Sequence, residues 1–146
     1  MSGETTFWDA VDALRAEQGR YAREAYGFVV GALGSTVQSL PAERTADPQR
    51  RHLSGRELLA GVVQLARAEF GMLAPMVFRE WGVLAGEDVG RIVFELVRCG
   101  QLSARPEDTM ADFTEGPDLL TELGRGTDFG PRTTGESSGG RRTRPA

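Results

Sequence analysis

A chain of 146 residues with 40% hydrophobic and 26% charged residues has room for one ordinary globular domain. Its formal net charge of −4 offers no electrostatic reason for a polyanionic partner, and a single cysteine, Cys99, excludes an intramolecular disulfide. The 17 Lys+Arg positions are all arginine, so Schiff-base and lysine general-base chemistry have no side chain to use.

No apolar run approaches the roughly 18–20 residues that cross a bilayer. The opening MSGETTFWD lacks the basic and apolar regions of a signal peptide. The expectation is a soluble cytoplasmic protein with no membrane, metal or cofactor.

Residues 5–18 predict a first helix, capped by Thr5 or Thr6, with Asp9 near the positive pole and Phe7, Val11 and Leu14 on one face. Gly19 is its stop. A second pattern runs from Tyr21 to Leu40, with Tyr26, Val29, Val30, Leu33, Val37 and Leu40 on a broad apolar face. Gly27, Gly31 and Gly34 interrupt it, each costing about 1 kcal/mol against alanine in a helix interior. Gly27 and Gly31 share a face and predict a close approach by a neighbouring helix; an end near Gly34 is the alternative. Residues 41–52, with two prolines and the cluster Arg50-Arg51-His52, read as a loop.

Ser54-Gly55-Arg56-Glu57 is a capping box at the head of an amphipathic helix carrying Leu58, Leu59, Val62, Val63, Leu65, Ala66 and Phe70, and ending at Gly71. A shorter helix over about 73–81 holds Pro75 in its first turn and turns Met76, Val77 and Trp81 inward. A third covers about 87–99, with Val89, Ile92, Val93, Leu96 and Val97 as its stripe and Gly100 just beyond it. A short helix from Pro106 is anchored by Met110 and Phe113, after Ser103 or Ala104, and 117–123 is a last weak turn that could dock on the core. Val83-Leu84 and residues 101–103 could pair as a scrap of sheet. From 124 to 146 the composition turns to Gly, Ser, Thr, Pro and Arg, which reads as a disordered tail.

The fold class is therefore mainly α: a multi-helix domain over 5–123, its central segment resembling a helix-turn-helix or winged helix, with a tail over 124–146. The charge count opposes DNA reading by that segment. Residues 53–113 hold six arginines and nine acids, and Glu87, Arg91, Glu95 and Arg98 fall at salt-bridge spacings on the outer face of the would-be reading helix.

Enzymatic constellations are missing. His52 and Cys99 lie 47 positions apart and cannot make a zinc quartet alone, and Cys99 sits at the negative pole of its helix, which disfavours the thiolate. No phosphate-cradling glycine motif occurs.

Taken in order, YAREAYGFVVGAL, HLSGRELLAGVVQLARAEFG, VFREWGV, EDVGRIVFELVRCGQL and EDTMADF resemble an uncharacterised family of short proteins restricted to Verrucomicrobia and Planctomycetes. The resemblance covers roughly residues 7–123 and implies a shared pattern but no activity or catalytic residue. Pro117 and Leu119 stand where that family would place aromatics.

The expected function is a non-enzymatic protein-interaction or adaptor module working through an apolar groove or helix face. Trp8, Phe78 and Trp81 are candidate surface anchors, the structural alternative for each being a place in the core. The alternative function is a nucleic-acid binder using Arg50, Arg51, Arg141, Arg142 and Arg144. A weaker third is a small enzyme with Asp108, Asp112 and Glu57 converging in a cleft.

Overall fold

The structure, a computed structural model, describes residues 6–47, 52–105 and 108–125. Thr5, Arg50, Arg51, Pro106, and the tail from 126 with Arg141, Arg142 and Arg144, lie outside the described residues.

Helix α1 (Phe7–Glu17) starts where the Thr6 hydroxyl accepts the Asp9 amide at 3.0 Å, and it buries Ala10, Val11 and Leu14. Helix α2 (Arg23–Gln38) has no side-chain cap; its entry is tied down by the Ala22 amide, which donates to the Trp81 carbonyl at 3.0 Å. It runs unbroken through its three glycines, because tertiary packing of an apolar face outweighs local propensity. The expected close approach at Gly27 and Gly31 is corrected. Gly31 faces open space, and Gly27 is covered by a side chain: a Cβ there would stand 2.7 Å from Trp8 Cη2.

Residues 41–52, expected as loop, contain a one-turn helix, α3 (Ala42–Thr45). Its Arg44 grips Glu57 at 2.6 and 3.2 Å and the His52 carbonyl at 3.3 Å, fastening the connection to the next helix. That helix, α4 (Gly55–Phe70), carries the capping box: the Glu57 amide donates to Ser54 Oγ at 3.1 Å, and the Ser54 amide to Glu57 Oε1 at 2.9 Å. The close helix approach in this fold is at Gly61, where a Cβ would overlap Thr36 Oγ1. Thr36 answers by turning its hydroxyl back to the Ala32 carbonyl at 2.7 Å.

After a 3₁₀ turn over Gly71–Leu73 comes α5 (Ala74–Trp81), closed by Gly82 in the left-handed region at φ +84°. Its inward face differs from expectation. Ala74 and Phe78 are buried, Val77 and Trp81 are half-buried, and Met76 is 58% exposed. The intervening turn advances at three residues per turn, so the apolar phase of α4 does not carry through into α5. Helix α6 (Gly86–Arg98) buries Val89, Ile92 and Leu96 as its periodicity predicts, and also Asp88 and Glu95.

Two short helices finish the domain: α7 (Ala111–Thr114), and α8 (Leu119–Gly124), capped by Asp118 accepting the Thr121 amide at 3.1 Å. Leu119 and Leu123 are buried, so the last segment docks on the core, against α4 and α5. No strand occurs among the described residues. The amides of Gln101 and Leu102 turn back to the Leu96 carbonyl at 2.8 and 3.2 Å, which removes 101–103 as a partner for Val83-Leu84. The fold is all-α, with α2 and α4 packed at its centre, α1 against α2 and α6, and α7 bridging α4 and α6.

Candidate functional site

Helix α4 presents two parallel rows toward one side, Leu59-Val63-Arg67 and Ala60-Gln64-Ala68, each at i, i+4, i+8. The second row holds two alanines, so the surface there is low. Opposite it rises the segment from Phe113 to Glu122, with Gly116, Pro117 and Leu119 along the wall. Between the two lies a groove of about 610 Å³.

Three glycines hold that wall in place. A Cβ at Gly55 would stand 2.7 Å from Asp112 Cβ, one at Gly90 would stand 2.8 Å from Phe113 Cγ, and one at Gly86 would overlap the Phe113 carbonyl oxygen. The Phe113 ring, 6% exposed, meets Phe94 edge to face at a centroid distance of 6.0 Å. The wall is therefore anchored at Phe113, which sits as close to α4 and α6 as backbone allows.

The rim is charged in pairs. Arg56 meets Glu115 at 3.3 Å and Arg125 meets Glu122 at 2.7 Å. The Arg67 guanidinium, in the last turn of α4, makes no hydrogen bond or ion pair among the described residues.

A second cavity, of about 320 Å³, opens where the α4 N-terminus meets α2, α6 and α7. His52 Nε2 lies 3.0 Å from Asp108 Oδ2 on its lining, and the same oxygen accepts the Arg105 amide at 2.7 Å. Asp112 joins them there, but Glu57 is elsewhere, held by Arg44 and the Ser54 amide. The structure thus brings together two of the three carboxylates considered for catalysis. Arg44 beside it, chiefly, and the Ser54 amide lower the Glu57 carboxyl to about 2. No group of three or more potential metal ligands occurs among the described residues.

A buried polar seam, unforeseen from the sequence, joins α1, α2 and α6. The Tyr21 hydroxyl donates to Asp88 Oδ1 at 2.6 Å, and the Tyr26 hydroxyl to Glu95 Oε1 at 2.6 Å. Gln18 Nε2 donates to Glu95 Oε2 at 2.5 Å. The amides of Leu84 and Ala85 donate to Asp88 Oδ2 at 2.9 and 3.0 Å, so Asp88 also closes the N-terminus of α6. Burial, and next the bond to a carboxylate, raises the pKa of both phenols. Both carboxylates are occupied by partners within the fold, which makes the seam a structural tie.

Glu95 was expected on the outer face of α6; it is buried, and Arg98 pairs instead with Glu17 at 3.4 Å. The expected Glu87–Arg91 pair forms, and Arg91 also meets Asp88 at 3.0 Å. Asp88 and Glu95 are seven apart, two helical turns, which was the signal for a shared face.

Among the candidate anchors, Phe78 is core at 2% exposure, which withdraws it as a surface residue. Trp81 is half-buried among Phe28, Phe70 and Phe78. Trp8 is 39% exposed, lying over Gly27 with the Arg23 guanidinium 4.3 Å from its ring centroid. Exposed apolar residues appear instead at Met72, Leu73, Met76 and Leu84. Cys99 is half-buried, its thiol 3.6 Å from the Leu96 carbonyl.

The helical tract 55–81 contains an 18-residue window with a mean hydropathy of 1.2, which meets a length-and-composition criterion for crossing a membrane. Here it is two helices broken at Gly71, and Leu58, Val62, Ala66, Ala74 and Phe78 are buried in the core. Comparison with protein-family models, curated proteins and solved structures finds no match to this chain.

Proposed function

We propose that this protein is a non-enzymatic protein-interaction module whose groove along α4 receives an apolar segment of a partner. The observation that carries the reading is the 610 Å³ groove itself, floored by Leu59, Ala60, Val63 and Ala68 and walled by Phe113, Pro117 and Leu119. Grooves of this make, with an apolar floor and a polar rim, suit helix-in-groove recognition. A cytoplasmic, membrane-free setting belongs to the same proposal, on the single cysteine and the break of the 55–81 tract into two helices at Gly71. So does membership of the Verrucomicrobia- and Planctomycetes-restricted family, on the order of the sequence segments quoted above.

The test is affinity capture with the native chain and with Ala60→Arg, each with and without nuclease, followed by mass spectrometry. Ala60 is exposed, so the arginine fills the groove without entering the core. Partners held by the native chain, lost by the variant and indifferent to nuclease are expected. Identical partner sets for the two proteins would overturn the reading.

The helix-turn-helix reading, with nucleic acid as partner, is the second proposal. It is supported by the succession α4, α5, α6 with a bend at Gly71 and a left-handed turn at Gly82. The occupied arginines of α6 weigh against it. Retention on heparin at low salt supports it; passage without retention sinks it.

A further inference from the structure

Resting on the groove reading above, we infer the chemistry of the occupant: a short amphipathic helix whose apolar face ends in an acidic residue directed at Arg67. The length of the site comes first. From Leu59 to Ala68 the floor follows one helix for roughly 13 Å at 1.5 Å per residue, which matches an occupant of two to three turns. The two alanines of the row Ala60-Gln64-Ala68 leave room for a second backbone to come near, and Leu59, Val63 and Leu119 offer apolar contact along the length. Such a surface reads a partner at i, i+3 or i+4, and i+7.

Charge then fixes the polarity. At one end Arg56 is answered by Glu115 across the groove, and along the far wall Glu122 is answered by Arg125. Arg67 lines the groove with no such answer among the described residues, and Gln64, one turn before it, carries no charge. Among the described residues the rim thus presents one unanswered cation to an incoming ligand, at the end of the floor formed by the last turn of α4. A guanidinium there takes a carboxylate in two parallel hydrogen bonds, setting the direction in which the helix lies. The C-terminal pole of α4 favours a cation at this position on its own account, so the inference rests on the arginine lining an apolar groove.

The experiment is a selection from a displayed library of helical peptides, about twelve residues long, against the full chain, with Ala60→Arg as counter-target. The expected winners carry an apolar i, i+3/i+4, i+7 face with Asp or Glu at one end. Arg67→Gln should weaken the best synthetic peptide three- to tenfold, and replacing that peptide's acid by its amide should bring the same loss without adding to it. Gln64→Glu, an exposed change, should weaken it as well by repelling the acid. Native-like thermal melts of the three variants keep these losses from being unfolding.

If nothing is enriched over the counter-target, the groove reading itself fails. If apolar peptides are enriched with no acid and Arg67→Gln binds them as well as the native chain, the groove stands and this inference is overturned.

Discussion

Phe113 rests on Gly90 so closely that a single methyl group would displace it: a Cβ at position 90 would stand 2.8 Å from Phe113 Cγ and 2.7 Å from Met110 Sδ. The groove wall is in this way built on the absence of side chains from α4 and α6.

Gly90→Ala should therefore destabilise the protein by about 1–3 kcal/mol through overpacking, although alanine is the better helix former. Phe113→Ala, which empties the same contact, should cost about 3–5 kcal/mol. Urea midpoints at fixed denaturation slope measure both. A neutral or stabilising Gly90→Ala would contradict the packing described.

Gly61→Val tests the other close approach. Its side chain would overlap Thr36, whose hydroxyl is already committed to Ala32. The pair Gly61→Val with Thr36→Ala should recover part of the loss, read as a non-additive double-mutant cycle.

The polar seam makes a prediction about tyrosine. Tyr26→Phe leaves one oxygen of a buried carboxylate without its donor, a loss of about 1–3 kcal/mol. Both phenols have their pKa raised in the folded state, so the stability they contribute is fully present below the unfolded value of 10.0 and is lost as pH rises through the folded values. Ultraviolet titration should find both phenols less ionised at pH 10 in the native protein than in denaturant, where they are half-ionised.

Glu57 predicts the opposite limb. Its carboxyl is lowered to about 2 from 4.5, so its contribution is present above pH 4.5 and fades as pH falls toward 2. The difference in urea midpoint between the native chain and Glu57→Gln should be constant above pH 5 and shrink below 4. A difference that grows on acidification would contradict the Arg44–Glu57 pair.

Local signals were legible where a short-range rule decides the outcome. Ser54 and Glu57 form their box because capping needs only four consecutive residues, and Val89, Ile92 and Leu96 lie inward because a single helix keeps its period. What depended on a neighbour was not. Gly61 looks like any helical glycine until Thr36 is placed beside it, and Gly27 is explained by a tryptophan from another helix. Met76 and Phe78 exchanged roles because a 3₁₀ turn shifted the phase. The groove was the least legible feature, since its wall comes from a segment about fifty residues downstream of its floor, with no periodicity of its own.

The measurement closest to the central claim is methyl NMR of the full chain titrated with the best selected peptide. Saturable shifts are expected at the methyls of Leu59, Val63 and Leu119, which border the groove. Shifts confined to Met72, Leu73 and Met76, the exposed apolar corner between α4 and α5, would contradict it.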